Sequence, residues 1–201
     1  HITKQTFAVD TNNPPLIREL TATPLVLGLQ RYLPADTPYQ RVLSARLVTI
    51  LLGGMLLVAV FSFVRGYFGT APAMLSVLVM TLESTFLAHS HYVTLDVGFA
   101  LFFFLAWWSL WRLFKRPTVG GTIVFGIVFG LAAASKVSAW VFLAGILAVF
   151  FLLPSQRASL ARFMKLKTIL LVLISCLLTI WATYFFTSDV IIAERQDSTR
   201  V

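Results

Sequence analysis

Long apolar runs, separated by short polar or charged stretches, fill most of this chain of 201 residues. A helix that crosses a bilayer needs about 20 mainly apolar residues, and somewhat fewer where neighbouring helices support it. On this criterion the pattern predicts six membrane-spanning helices, of which the fifth is the shortest: residues 43–64, 71–88, 93–111, 119–137, 139–153 and 168–186. The predicted fold class is therefore an all-α membrane protein, a multi-span bundle of transmembrane helices.

These spans divide the chain into three regions. Residues 1–42 form an outer loop with an interfacial helix, residues 43–187 form the six-span membrane region, and residues 188–201 form a truncated outer segment. In the first region, Pro14 and Pro15 precede a helix with Leu16, Ile17 and Leu20 on one side, and Pro24 is expected to kink or end it. We expect this helix to lie along the outer membrane surface, as a structural lid or as a substrate contact.

Composition and charge narrow the class of protein. Hydrophobic residues make up 58% of the chain and charged residues only 12%, whereas soluble domains average about 25% charged residues. The net charge of +8 does not indicate a nucleic-acid partner, because the basic residues stand beside the apolar runs. The single cysteine, Cys176, lies inside an apolar run, which excludes a disulfide within the chain and a site built from several cysteines.

The basic residues also predict the orientation. Lys and Arg in short loops stay on the cytoplasmic side, and the loops after the first, third and fifth spans carry Arg65, then Arg112, Lys115 and Arg116, then Arg157, Arg162, Lys165 and Lys167. The alternate loops carry only Lys136 as a cation. We therefore expect a multi-pass protein of the plasma or inner membrane with both termini outside, and a chain that starts at His1 there is expected to be a piece of a longer protein.

Ionisable residues gather at the outer ends of the predicted spans. A carboxylate within a span, such as Asp96, costs roughly 2.5–3.5 kcal/mol on insertion scales and needs a partner or a task. With the predicted topology it shares one depth with five other residues: Arg46, Glu83, His89, His91 and Lys136. We interpret this layer as a polar cavity that opens outward, with Arg46 and Asp96 as an ion pair and Lys136 as the second cation. Separate structural pairs, or cations that snorkel to the interface, are the alternative.

His89, His91 and Asp96 are also metal-ligand types, so a divalent ion is a further possibility for this layer. The two histidines are two positions apart, which places them on different sides of a helix and on the same side only of an extended segment. Helix-end histidines that bond to the backbone are commoner than metal ligands. We therefore predict no metal and no other cofactor.

Five short motifs carry a resemblance to a known family. They are Pro-Pro-Leu-Ile-Arg-Glu-Leu at 14–20, Ser-Ala-Arg-Leu at 44–47, Phe-Gly at 68–69, Leu-Ala-His-Ser-His-Tyr-Val-Thr-Leu-Asp at 87–96 and Gly-Leu-Ala-Ala-Ala-Ser-Lys at 130–136. Their order and membrane depth resemble the N-terminal half of a phospholipid-carrier-dependent glycosyltransferase of the GT-C superfamily, which includes protein O-mannosyltransferases and the lipid A aminoarabinose transferase. The resemblance runs from about residue 12 to residue 186.

The resemblance implies an integral membrane glycosyltransferase that works on the outer face. Its donor would be a sugar linked to polyprenyl or dolichyl phosphate, and its acceptor would be a protein, a lipid or a glycan. Membrane lipids would surround the enzyme. Such a reaction needs a carboxylate or base near the acceptor and cations near the phosphate leaving group. By motif, Asp96 falls on the family's acidic residue, while Arg46 and Lys136 fall on its first-span arginine and its Ser-Lys lysine. The resemblance therefore makes Asp96 a catalytic candidate; Arg46 and Lys136, together with His89 and His91 in the same layer, are our candidates for substrate binding.

The chain also departs from the family pattern. The expected catalytic Asp-Glu pair of the first outer loop precedes the part of the family that this chain resembles, and Asn12-Asn13 stands where Glu-His or Asp-His is usual. Asp10 is a second catalytic candidate that could replace a loop carboxylate. These departures leave two other classes open, namely a transporter or channel segment with an outward polar cavity and a non-catalytic membrane subunit. A transporter would more commonly place its charges at the bilayer midplane and show repeated halves.

Overall fold

A computed structural model describes residues 14–28, 38–153 and 165–184, together with 161 and 163. These described residues form eight α-helices and no strand, which confirms the predicted all-α class. The helices are α1 (Leu16–Val26), α2 (Pro38–Phe68), α3 (Thr70–Leu82), α4 (Ser84–His91), α5 (Asp96–Lys115), α6 (Val119–Ser135), α7 (Ala139–Leu152) and α8 (Leu166–Thr183).

Three of these helices are long and apolar enough to cross a membrane, namely the segment Ala45–Phe68 of α2, then α5 and α8. α6 and α7 are apolar but shorter, with 17 and 14 residues. α3 and α4 pass the same test only when they are taken together as a bent pair. The six predicted apolar segments are therefore mainly helical where they are described, but by length and composition only three of the described helices, or four crossings with the bent pair, are sufficient to span a membrane.

The second predicted span, residues 71–88, is not one continuous helix. It breaks at Glu83, and α4 leaves the direction of α3 by 68°. The backbone of Glu83 is extended, and its carboxylate accepts hydrogen bonds from the N–H groups of Thr85 and Phe86 at 3.0 and 2.6 Å. An acidic side chain that caps free N–H groups stabilises a helix start. Glu83 therefore begins a new helix where the sequence pattern suggested the interior of a span.

The bent pair returns the chain along much of α2. It starts next to Phe68 at one end of α2, and Tyr92, directly after α4, lies beside Arg46, eight residues after the other end. By length and composition the pair fits a broken span or a re-entrant loop. The predicted loop at 65–69 is also wrong, because α2 remains helical to Phe68 and only Gly69, with φ 94°, separates it from α3. Positive φ is readily available to glycine, which explains the tight reversal.

Glycines set the closest helix contact in the membrane region. A Cβ atom placed on Gly126 or Gly130 of α6 would lie 2.9 Å from a backbone carbonyl oxygen of α8, that of Val172 or Cys176 respectively. The order of these contacts shows that α6 and α8 run in the same direction. Small residues four positions apart allow helix backbones to approach in this way. Gly126 and Gly130 thus lie in the α6–α8 contact, whereas Gly120 faces open space.

The first helix packs on the membrane helices through the apolar side of its sequence. Ile17 is buried against Gly98 and Leu52, and Leu16 and Leu20 pack around the same cluster. A Cβ on Gly98 would lie 3.1 Å from Cγ1 of Ile17, so only glycine leaves room for this side chain. α1 thus covers the start of α5. α1 does not end at Pro24, as one of the two expectations had it, but continues to Val26.

We predict that Gly130→Ala destabilises the bundle, because the new methyl group would lie 2.8 Å from Cβ of Thr179 and 2.9 Å from the Cys176 carbonyl oxygen. The expected loss is about 1–3 kcal/mol, typical of overpacking. Unfolding by SDS in mixed micelles, followed by circular dichroism, measures it. Gly145→Ala in α7 is the matched control, since no atom lies within 4 Å of its Cβ position. Equal stability of the two variants would contradict the close α6–α8 contact.

Candidate functional site

Asp96 lies in the first turn of α5, where its negative charge faces the positive end of the helix dipole. Lys136 directly follows the last residue of α6, and its backbone N–H still donates to the Ala132 carbonyl oxygen at 3.1 Å. A cation is favourable at that end of a helix. Because α5 and α6 are antiparallel neighbours, the start of one and the end of the other meet at the same end of the bundle.

The side chains of these two residues form the central contact of the site. Nζ of Lys136 donates to Oδ1 of Asp96 at 2.9 Å, across 40 positions of sequence. The other carboxylate oxygen, Oδ2, lies 3.3 Å from Nδ1 of His89, in the last turn of α4. We call Asp96, Lys136 and His89 the Asp96 cluster. It joins three helices through one carboxylate.

Thr94 supports the histidine of the cluster from the connection between α4 and α5. Its hydroxyl donates to the carbonyl oxygen of His89 at 3.4 Å and lies 3.3 Å from Nδ1 of the same residue. The ring nitrogen is therefore shared between Thr94 and Asp96. This arrangement fixes how the imidazole faces the carboxylate.

The Asp96 cluster is open enough for a ligand to reach it. The side chains of Asp96, Lys136 and His89 are 47%, 40% and 39% exposed. A Lys ammonium has three N–H donors, and Asp96 accepts only one of them, which leaves capacity for a further acceptor. An ion pair with this exposure contributes modestly to stability. We therefore interpret the Asp96 cluster, which lies where three helices end or begin, as a ligand site and not chiefly as a stabilising contact.

The predicted ion pair between Arg46 and Asp96 is wrong, and Lys136 is not the second cation but the partner of Asp96. The guanidinium carbon of Arg46 lies 5.9 Å from the ring centroid of Tyr92, a cation–π distance. Arg46 is half-buried and stands at the same end of the bundle. The prediction assigned the pairing wrongly, because the rotation of each helix about its axis decides which side chains meet.

The structure does not bring the remaining candidates into the cluster. His91 is exposed and its Nδ1 donates to the Leu87 carbonyl oxygen at 2.8 Å, so it points back along its own helix. Glu83 caps α4 instead. Asp10 lies outside the described residues. Over the part of the chain that is described, no group of three His, Cys, Asp or Glu side chains could hold a metal ion, so the metal alternative finds no support there.

Three further residues at this end were not singled out from the sequence as functional. Thr94 contacts His89, Tyr92 faces Arg46, and the ring centroid of Phe99 lies 6.0 Å from Nζ of Lys136. Thr94 and Tyr92 belong to the motif at 87–96, so their place in that motif was the available signal. Phe99 looks like any other lipid-facing or core aromatic in the sequence and could be found only from the fold.

A sequence model of the dolichyl-phosphate-mannose-protein mannosyltransferase family matches residues 40–181, more than two thirds of the chain. The chain belongs to this family. Comparisons with curated proteins and with solved structures found no match. The mannosyltransferase family match contains Arg46 and the whole Asp96 cluster, and it begins after α1. It confirms the resemblance seen in the motifs and makes membrane glycosyltransferase the function class.

We predict that Asp96 and Lys136 are energetically coupled and that Asp96 and Arg46 are not. In a double-mutant cycle, Asp96→Asn with Lys136→Met should show a coupling of about 0.5–1 kcal/mol, since removal of either partner already breaks the contact. Asp96→Asn with Arg46→Gln should be additive within about 0.5 kcal/mol. SDS unfolding of the single and double variants measures both cycles. The reverse result, coupling to Arg46 alone, would restore the pairing expected from the sequence.

Proposed function

We propose that this chain contributes the donor-phosphate part of a glycosyltransferase that moves a sugar from a polyprenyl or dolichyl phosphate to a protein or a lipid or glycan acceptor on the outer face of the membrane. The observation that carries the proposal is the Asp96 cluster, an accessible carboxylate bridged by a lysine and a histidine at three helix ends. Family membership supplies the reaction class.

The reaction sets clear requirements for such a site. The acceptor hydroxyl attacks the anomeric carbon, the bond between that carbon and the phosphate oxygen breaks, and the polyprenyl phosphate leaves with the electron pair. The acceptor loses its proton to a base. Cations near the phosphate stabilise the negative charge that develops as it leaves, and such stabilisation is often the largest single contribution to the rate.

Lys136 and Arg46 fit the role of phosphate cations for different reasons. Lys136 has N–H donors beyond the one that Asp96 accepts, and its position is fixed by that contact. Arg46 makes no salt bridge with Asp96, so its planar guanidinium is able to offer paired donors to a phosphate. Tyr92 holds it at the same level. We therefore assign both cations to the donor phosphate.

Asp96 has two roles in this proposal. It positions Lys136 through Oδ1, and it orients the acceptor hydroxyl, or accepts its proton, through the exposed part of the carboxylate. His89 lies against Oδ2 and limits how the carboxylate can turn. A carboxylate placed in this way acts by proximity and hydrogen bonding, and its charge is essential to both roles.

The basic loops support an outward site. Arg112 and Lys115 lie in the last turn of α5 and Arg116 directly follows it, at the end opposite to Asp96. Short loops rich in Lys and Arg stay in the cytoplasm, so the Asp96 end is proposed to face out. An outward site is also where a polyprenyl-linked donor meets secreted or cell-surface acceptors.

We predict that Asp96→Asn lowers sugar transfer by about 100-fold or more while the protein stays folded, because Asn keeps the shape of the side chain and removes the charge. Lys136→Met should have an effect of similar size through loss of phosphate stabilisation. The measurement is transfer of labelled sugar from a polyprenyl-phosphate donor by the full-length protein in membranes, normalised to the amount of folded protein.

Two controls make this measurement decisive. Lys165→Met removes a cation at the opposite end of the bundle and should leave transfer unchanged, while Asp96→Glu keeps the charge and should recover part of the activity. Wild-type turnover in Asp96→Asn would remove Asp96 from the site. Absence of transfer by the wild-type protein from every polyprenyl-linked sugar tested would favour a transporter segment or a non-catalytic subunit.

A further inference from the structure

A concavity lies at the opposite end of the bundle from Asp96. It has a volume of about 780 Å³ and lies against α2, α5 and the start of α6. Three basic residues line it, namely Arg112, Lys115 and Arg116. Arg112 and Lys115 lie in the last turn of α5, three positions apart on one side of the helix, and Arg116 directly follows the helix. We call this concavity the basic pocket.

The cations of the basic pocket are not neutralised by the described part of the protein. No described carboxylate forms a salt bridge with any of the three, and the described acidic residues, Glu19, Glu83 and Asp96, lie in α1, at the bend and at the start of α5. Lys115 is held in place by aromatic faces, with Nζ 4.7 Å from the ring centroid of Tyr67 and 4.9 Å from that of Trp111. These cations are therefore available to an anion from outside these elements.

Apart from Ser109 and Thr118, the rest of the pocket wall is mainly apolar and extends away from the cations into the membrane region. Leu105 lies seven residues before Arg112, about 10 Å along α5, and Val124 and Val128 form the facing wall on α6. Gly121, in the first turn of α6, brings the positive end of that helix dipole to the mouth of the pocket. A ligand that fits has an anionic group at one end and a hydrocarbon part at the other.

We propose that the basic pocket binds an anionic phospholipid, with the headgroup phosphate at Arg112 and Arg116 and an acyl chain along Leu105, Val124 and Val128. A phospholipid matches both the charge at the mouth and the apolar wall, and basic pockets between membrane helices are suited to anionic headgroups. By the distribution of basic residues, this lipid belongs to the cytoplasmic leaflet. The site is at the opposite end of α5 from the Asp96 cluster, so it stands or falls independently of the proposed function.

The test compares ligands that share a phosphate but differ in net charge or in the hydrocarbon part. Native mass spectrometry of the purified protein gives apparent affinities for phosphatidylglycerol, for the zwitterionic phosphatidylcholine and for soluble glycerol phosphate. We expect phosphatidylglycerol to bind the most tightly. Equal binding of phosphatidylcholine would overturn the role of the net charge, and equal binding of glycerol phosphate would overturn the lipid in favour of a free phosphate.

Matched variants locate the binding. Arg112→Gln with Arg116→Gln should weaken phosphatidylglycerol by about 30-fold, the combined contribution of two basic side chains at an anionic group. Arg65→Gln with Lys165→Gln removes the same charge from the same end of the bundle but from outside the pocket, and should change the affinity by less than about threefold. Equal losses in the two double variants would overturn the pocket, because they would show attraction to the whole basic surface.

A third variant keeps all the cations and fills the wall. Val124 is half exposed, so Val124→Trp can be introduced without disturbing a buried core. It should weaken phosphatidylglycerol by about tenfold and leave glycerol phosphate unchanged, because it displaces only an acyl chain. Unchanged phosphatidylglycerol binding in this variant would contradict the proposed acyl-chain path.

Discussion

The need to balance the Asp96 carboxylate next to a bilayer organises one end of this protein. An uncompensated charge there is costly, and in this fold Lys136 contacts one oxygen of the carboxylate and His89 lies near the other. Each partner comes from the C-terminal end of a different helix, while the carboxylate sits at the start of a third. Helix dipoles and side-chain charges therefore act in the same direction, and three helix ends are drawn together at one point.

The packing of the helices away from this end positions the residues of the Asp96 cluster. α6 supplies Lys136, and its position is fixed against α8 by two glycines that allow the backbones to touch. α5 supplies Asp96, and its start is covered by Ile17 of α1, which sits on Gly98. Residues without any polar chemistry thus determine where the reactive groups lie. A methyl group added at one of these glycines is therefore expected to shift the residues of the Asp96 cluster, although the cluster does not contact that glycine.

The sequence was sufficient to predict the apolar helices, because the length of an apolar run depends on the bilayer itself. It was not sufficient to pair the charges. Arg46 and Lys136 both lie at the same end of the bundle as Asp96, and the choice between them depends on helix rotation, which a hydropathy pattern does not encode. Glu83 was interpreted as part of a continuous span. Its capping role depends on the bend that it helps to make.

The bend at Glu83 also separates two helices that pack differently. α3 turns most of its large side chains outward, among them Met74, Leu78 and Leu82. α4 instead packs on α2, where the buried Ser90 lies against Gly53. Bilayers differ in thickness, and helices adjust to the mismatch chiefly by tilting. Because α3 and α4 meet at a break, α4 packs on α2 in a direction of its own, and the position of the histidine in the Asp96 cluster follows from that packing and not from the tilt of α3.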